Sequence, residues 1–175
     1  MKYSSLIFSL LFIVVVTSSK AGDFQFKTGD IVFQSYEGTQ GFAIQLATNS
    51  VYNHVGIIIM KENQPYVFEA VEPVKYTPID DWAKRGNGSH YVVKRLSCAD
   101  SLINATVIEK MKAFAKIAEN KHYDIYFEWD DSKMYCSELV WKIYNECAGI
   151  QLGNLKALKE YKLSNPIIKA DKNWF

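Results

Sequence analysis

The amino-acid sequence predicts one α+β domain, and three observations lead to that fold class. Segments rich in β-branched and aromatic residues occupy the first half of the chain, and a short polar turn separates two of them. Two long segments with apolar residues at helical spacing follow in the second half. The 175 residues suffice for one sizeable core, so we expect an antiparallel sheet packed against helices.

The first 21 residues have the pattern of a secretory signal peptide. An early lysine precedes an apolar run over residues 6–16, and Ser19 and Ala21 stand at the −3 and −1 positions for cleavage before Gly22. The apolar run has 11 residues, whereas a membrane-spanning helix needs about 20. We therefore expect an exported protein, periplasmic or secreted, with a single mature domain over residues 22–175 and no stable membrane anchor after signal removal.

Charge and the spacing of potential metal ligands argue against two classes of function. The mature chain would carry 18 basic and 19 acidic side chains without a block of like charge. We expect no nucleic-acid partner, for which a basic stripe is typical. The cysteines and histidines match no zinc motif, so we expect no metal and no other cofactor. These residues are Cys98, Cys136, Cys147, His54, His90 and His122. Either Cys98 and Cys147 form a disulfide or all three cysteines are free.

Four strands and one short helix are expected in the first half of the chain. The strands are expected at residues 29–35, 53–60, 66–71 and 90–96, and the helix at residues 38–48 with Phe42, Ile44, Leu46 and Ala47 mostly inward. The continuous apolar run of residues 53–60 predicts a strand buried on both faces. The polar segment 61–65 predicts a hairpin turn. In the simplest hairpin, Met60 pairs with Tyr66.

Two long helices are expected in the second half. The first covers residues 101–121 and has an apolar face formed by Leu102, Val107, Met111, Phe114 and Ile117. The second covers residues 136–147 and has an apolar stripe at residues 136, 139, 140, 143, 144 and 147. We expect Gly149 to cap its C-terminal end and Asp131 or Ser132 to cap its N-terminal end.

The second long helix has a cysteine at each end, and the two ends differ electrostatically. Cys136 and Cys147 would lie about 16 Å apart along the helix axis, which is too far for a disulfide. The partial positive charge at a helix N-terminus favours an anion, and the thiolate is the reactive form of cysteine. Cys136 is therefore a candidate nucleophile, with an unreactive buried thiol as the alternative. Cys147 is expected to be a small buried apolar residue.

A nucleophilic cysteine needs a base and a group that orients the base. His54 stands at the start of a buried strand, whereas the surroundings of His90 and His122 indicate loop or surface positions. Glu69 and Glu72 lie on or just after the next strand. The simple hairpin sets Glu72 opposite His54, so a different register or a bulge is needed to bring Glu69 near the imidazole.

Four blocks in a fixed order carry a resemblance to a known family: GDIVFQ, NHVGIII, FEAVEPV and YCSELV. The sequence resembles the permuted papain-like branch of the NlpC/P60 superfamily, the YiiX/YaeF-type amidases. In unpermuted members the cysteine helix precedes the strands, whereas here it follows them. The resemblance therefore implies a circularly permuted papain-like fold. The blocks extend from Gly29 to about Tyr144, which is most of the mature chain.

The resemblance also implies a cysteine amidase or peptidase in which Cys136 is the nucleophile and His54 the general base. Glu69 stands before an alanine, as the third polar residue of the family does, and Glu72 is the alternative. The implied substrates are small molecules, peptides or N-acyl amides, with or without a lipid part, cleaved through an S-acyl enzyme. Tyr135 and Tyr123 are expected to contact the substrate, although an aromatic packed beside the helix is an equally good interpretation of Tyr135.

Three other functions stay open at this point. One is a thioester or ester hydrolase, or an acyltransferase, of the lecithin:retinol acyltransferase type. Another is a cell-wall peptide endopeptidase. The third is a binding module that has lost its activity, although the presence of Cys136, His54 and a carboxylate argues against it.

Overall fold

The computed structural model describes residues 24–157 and 160–161, so the expected signal peptide at residues 1–21 lies outside them. The elements follow in the order β1 (Ile31–Gln34), α1 (Thr39–Thr48), β2 (His54–Lys61), β3 (Gln64–Glu69), β4 (Lys75–Pro78), α2 (Ile79–Arg85), β5 (Tyr91–Lys94), α3 (Ala99–Leu102), α4 (Ala105–Ala118), β6 (His122–Tyr123), β7 (Lys133–Met134) and α5 (Cys136–Ala148). Among the described residues, no helix is long and apolar enough to cross a membrane.

The first five strands form one antiparallel sheet in the order β4-β3-β2-β1-β5. The central strand β2 is buried along its first six residues, as its continuous apolar run predicted. Both strands of the expected hairpin are present, which confirms the α+β architecture with an antiparallel sheet. β4 and α2, which follow the hairpin, were missed in the sequence because they are short and lack a clear apolar period.

The expected hairpin turn at residues 61–65 is wrong in its length. Glu62 and Asn63 form a two-residue turn, both with positive φ, so that Lys61 pairs with Gln64 and Met60 pairs with Pro65. Left-handed backbone at both turn positions matches the twist of the flanking strands, which favours this tight turn over a longer one. The pairing therefore differs by one residue from the expected Met60–Tyr66 register.

Helices cover both faces of the sheet. Ile57 and Phe68 belong to the core that α4 and α5 complete, whereas Ile58 and Val67 pack with Trp82 of α2 on the opposite face. Successive strand residues point to opposite faces, so the apolar run of β2 supplies both cores at once. α1 lies apart from these layers and packs with Phe127 and Tyr135 in a third cluster.

The single helix expected over residues 101–121 is wrong, since two helices occupy this segment. Asn104 caps α4 by accepting a hydrogen bond from the Val107 N–H, so the helix begins anew at Ala105. Met111 is fully buried as expected, but Ile117 is 74% exposed because it lies six residues on, about 240° around the helix. Leu102 and Phe42, also expected inward, are 42% and 47% exposed.

The second long helix agrees with the expected bounds and differs at its cap. Gly149 ends α5 with a φ of 69°, as predicted for a C-terminal glycine. The N-cap is Tyr135, which corrects the expectation of Asp131 or Ser132, because β7 intervenes between those residues and the helix. Cys147 is buried at the far end of α5, and all three cysteines are free, so Cys98 and Cys147 do not pair.

Candidate active site

The first residue of β2 and the first residue of α5 meet at one end of the sheet. His54 and Cys136 are both 4% exposed, and the imidazole is hydrogen-bonded to the thiol. The apolar sequence of β2 and the apolar stripe of α5 bring them together, since these two elements pack against each other in the main core. The histidine and cysteine that the sequence singled out are therefore neighbours.

Glu69 engages the other side of the imidazole. Its Oε2 lies 2.7 Å from His54 Nε2, which leaves Nδ1 as the ring nitrogen for the thiol. The carboxylate is fully buried at the end of β3 and accepts three further hydrogen bonds. These come from Thr77 Oγ1 at 2.6 Å, from Trp82 Nε1 at 2.9 Å and from Arg85 Nη2. Three elements therefore hold this carboxylate in one orientation.

The charges of the imidazole and the carboxylate stabilise each other. Burial alone would lower the pKa of His54, but its hydrogen bonds and charge interactions with Cys136 and Glu69 raise that pKa to about 9. Burial would raise the pKa of Glu69, but His54, Thr77 and Arg85 together lower it to about 2. Near neutral pH the imidazole is therefore protonated and the carboxylate is ionised.

A glycine makes room for the contact between Glu69 and His54. In the observed register Glu69 lies opposite Gly56, two residues along β2 from His54 and on the same face. A Cβ at Gly56 would lie 2.4 Å from Val67 Cγ1 and 3.2 Å from Phe68 O. The bare backbone at this position lets β3 approach closely enough for Glu69 to reach diagonally to the imidazole.

Glu72, the alternative partner of His54, lies elsewhere. Its carboxylate is well exposed and accepts hydrogen bonds from the Tyr123 N–H at 2.9 Å and from His122 Nδ1 at 2.8 Å. The one-residue change in the hairpin register explains the difference. Glu69, the last residue of β3, lies on the same face of the sheet as His54, and Glu72 lies beyond the end of β3. Glu72 instead ties the end of the hairpin to β6.

Two side chains that the sequence did not single out fix the position of His54. The Tyr36 ring stacks on the imidazole with centroids 4.7 Å apart, and the Trp82 ring lies 6.2 Å away. Asn53 precedes His54 and bonds both backbone polar groups of Tyr36, at 2.8 and 2.9 Å. Gly41 allows this bridge, because a Cβ there would lie 2.5 Å from Asn53 Nδ2.

Tyr135 and Tyr123 lie beside the nucleophile in different ways. Tyr135 is fully buried and packs against Phe127, with ring centroids 5.2 Å apart, as a packed aromatic beside the helix would. Tyr123 is partly exposed, and its phenol lies close enough to Cys136 to interact with its charge. Burial, followed by the charges of Cys136 and Asp124, raises the pKa of Tyr123 above its usual value. The phenol of Tyr123 is therefore neutral near neutral pH.

The sequence did not predict the residues around Glu69 or a buried ion pair on α5. Thr77, Trp82 and Arg85 come from β4 and α2, which the sequence did not reveal as elements. The pair is Glu138 and Lys142, with Oε1 and Nζ 2.7 Å apart. Their i, i+4 spacing is a signal that the sequence does contain. Their burial was not predictable, since such pairs usually lie on solvated surfaces.

Comparison with known proteins agrees with this geometry. Residues 25–173 match the family model described as permuted papain-like amidase enzyme, YaeF/YiiX, C92 family. The chain belongs to this family. It is therefore an enzyme of the papain-like cysteine amidase or peptidase class, with the circularly permuted papain-like fold. The match confirms the family that the four sequence blocks indicated.

Two relatives from Escherichia coli show the extent of the similarity. The uncharacterized protein YiiX of strain K12 is 41% identical over 161 residues, covering 92% of this chain and 78% of that protein. A crystal structure described as metalloprotein yiiX from O157:H7 has a TM-score of 0.79 and 45% identity, and covers 84% of this chain and 80% of that one. In the part of the present chain that the structure describes, no group of three or more His, Cys, Asp or Glu side chains could hold a metal ion.

Proposed function

We propose that this protein cleaves amide bonds of peptide-like or N-acyl substrates through an S-acyl enzyme, with Cys136 as nucleophile, His54 as acid and base, and Glu69 as the group that orients His54. The observation that carries the proposal is the buried chain of contacts from thiol to imidazole to carboxylate. A cysteine at a helix N-terminus, paired with a protonated imidazole, has the surroundings that favour a thiolate.

The chemistry follows from these positions. The Cys136 sulfur attacks the carbonyl carbon, an S–C bond forms, and the carbonyl electrons move to oxygen. The Cys136 N–H, at the positive N-terminal end of α5, stabilises that oxyanion. The C–N bond then breaks as His54 gives its proton to the leaving amine. Water, deprotonated by His54, attacks the acyl carbon and releases the carboxylic acid and the thiol.

Labelling of the three free cysteines tests the nucleophile without a known substrate. The alkylation rate of each thiol by iodoacetamide near pH 7 is measured by peptide mass spectrometry. We expect Cys136 to react faster than Cys98, although Cys98 is exposed and Cys136 is buried. Burial raises the pKa of the Cys147 thiol, which should react slowest. If Cys136 reacts no faster than the other two, the proposed role is wrong.

Turnover tests the reaction class. The mature protein is incubated with an N-acyl amino acid, a short peptide amide and a thioester, and product formation is followed by mass spectrometry. We expect amide cleavage that is lost in Cys136→Ala and kept in Cys147→Ala, the matched change at the other end of α5. Turnover of the thioester alone would favour the ester or acyltransferase alternative, and activity that survives Cys136→Ala would contradict the mechanism.

We also propose that the protein acts after export, in the periplasm or outside the cell. The signal-like pattern of residues 1–21 supports this location, and those residues lie outside the described part of the chain. N-terminal sequencing of the protein recovered from a cell-envelope or culture fraction should begin at Gly22. Recovery of uncleaved protein in the cytoplasm alone would contradict the proposal.

A further inference from the structure

The start of the nucleophile helix contains a buried carboxylate that the proposed reaction does not use. Glu138 is fully buried two residues after Cys136, and its Oε2 accepts a hydrogen bond from the Tyr135 N–H at 3.2 Å. Tyr135 is the N-cap of α5, so this contact fixes the backbone immediately before the nucleophile. A side chain at the third helical position that reaches back to the N-cap amide is a known device for fixing a helix start.

Lys142 holds Glu138 from the next turn of the helix. Its Nζ lies 2.7 Å from Glu138 Oε1 and donates to Asp131 Oδ1 at 2.8 Å and to Asp130 O at 3.2 Å. The ammonium also lies 5.0 Å from the centroid of the Trp129 ring. The lysine therefore connects the loop before β7 to the first turn of α5, and the ion pair points the carboxylate at the Tyr135 amide.

We propose that Glu138 is a positioning residue that aims the Cys136 N–H at the oxyanion, with Lys142 holding its carboxylate in place. The proposal rests on the proposed function, because it needs acyl transfer at Cys136. The peptide unit between Tyr135 and Cys136 carries the amide nearest the attacking sulfur. Its orientation depends on the hydrogen bond that Glu138 accepts from the preceding amide. Glu138 thus acts on the carbonyl step and leaves the formation of the thiolate alone.

The protonation state of Glu138 provides a pH dependence that would be absent if Glu138 had only a structural role. Burial raises the pKa of Glu138 to about 7, against the opposing effects of Lys142 and the Tyr135 amide, and the nearby Asp124 adds to the increase. The charged groups that face it are therefore Lys142 and Asp124, with Asp131 behind the lysine. A carboxylate accepts a hydrogen bond about twice as strongly as a neutral oxygen, so protonation should loosen the Tyr135 amide.

Two reagents separate positioning from thiol reactivity. Para-nitrophenyl acetate acylates Cys136 through an oxyanion, whereas iodoacetamide alkylates the same sulfur without one. The ratio of the two rates, measured on the mature protein between pH 5.5 and 8, isolates the carbonyl step, and Cys136→Ala supplies the background. In the wild type the ratio of the acylation rate to the alkylation rate should decrease as the pH is lowered below about 7, because Glu138 then gains a proton.

Three variants test the proposal. In Glu138→Gln the ratio should lose its pH dependence and equal the low-pH value of the wild type, because a neutral oxygen then accepts the bond at every pH. In Glu138→Ala the ratio should fall about tenfold, less than the roughly 10²–10³-fold cost of removing an oxyanion donor outright. The exposed Glu146 on the same helix provides the matched control, and Glu146→Gln should behave like the wild type.

The results distinguish this proposal from the proposed function. If wild-type Cys136 reacts with neither reagent faster than Cys98, the proposed function fails. If Cys136 reacts fast but the ratio is unchanged in Glu138→Ala, or if its pH dependence persists in Glu138→Gln, the positioning role is wrong. The alkylation rate of Cys147 monitors the fold, since general loosening of α5 would raise it together with any change at Cys136.

Discussion

At the scale of single residues, Glu69 is the group whose environment says most about the reaction. A carboxylate with four donors and no solvent contact is a fixed negative charge, and its pKa of about 2 keeps it ionised at any working pH. Removing such a charge from beside an imidazole lowers the imidazole pKa, because the protonated form loses a partner. Glu69 therefore controls the pH range over which His54 is a cation.

The variant Glu69→Gln should move the alkaline limit of activity. In the proposed reaction the protonated His54 serves the leaving amine, and His54 loses this proton at about pH 9, so amide hydrolysis in the wild type should decline above that pH. Without the Glu69 charge the pKa of His54 falls, and we expect the decline to begin about one pH unit lower. The pH profile of kcat/KM checks this. Glu72→Gln changes an exposed carboxylate and should leave the limit unmoved; an equal shift in both variants would contradict the assignment of Glu69.

At the scale of elements, the tight β2–β3 hairpin and Gly56 together position Glu69. The two-residue turn at Glu62 and Asn63 sets Glu69 opposite Gly56, and the missing side chain lets the carboxylate pass towards His54. Neither feature alone suffices, since a longer turn would shift the register and a bulkier residue would separate the strands. The stability of this hairpin and the geometry of the site are therefore linked.

Gly56→Ala should destabilise the protein by about 1–3 kcal/mol, the usual cost of an extra methyl in a packed core. The new Cβ would lie 2.4 Å from Val67 Cγ1 on the neighbouring strand. Urea unfolding followed by circular dichroism measures the change. The double variant Gly56→Ala/Val67→Ala removes the atom that clashes, so its loss should be smaller than the sum of the two single losses. Strict additivity would show that the strands accommodate the methyl elsewhere.

Elements with a strong apolar period were predictable, and the contacts between weakly patterned ones were not. β2 and α5 each carry an unbroken apolar signal, and both were expected within one residue of their observed ends. The pairing of Cys136 with His54 was implied by the family resemblance that the four sequence blocks carry. Thr77 and Arg85 escaped prediction because β4 and α2 have 4 and 7 residues, too few to show a period. The hairpin register depended on whether two polar residues adopt left-handed backbone, which the sequence favours only weakly.

At the scale of the whole molecule, three buried ionisable groups predict where the fold is most stable. Glu69 contributes stability that is present above its usual pKa of 4.5 and is lost as the pH falls through about 2. His54 contributes stability that is present below its usual pKa of 6.5 and is lost as the pH rises through about 9. The raised pKa of Glu138 means that the folded state binds a proton more tightly than the unfolded state. The free energy of unfolding therefore decreases as the pH rises from 4.5 to about 7. All three favour a maximum at mildly acidic pH.

The midpoint of thermal unfolding should therefore peak near pH 4.5 and decline on both sides. Two variants separate the groups on the alkaline side. In Glu138→Gln the decrease of the unfolding midpoint up to pH 7 should become smaller, and the decrease above pH 7 should remain. In His54→Gln the decrease between pH 6.5 and 9 should be absent. Both results are expected because neither amide side chain titrates. A thermal scan of the mature wild type and both variants at half-unit pH intervals checks this. A wild-type midpoint that keeps rising to pH 8 would contradict it, because the imidazolium would then contribute nothing to folding.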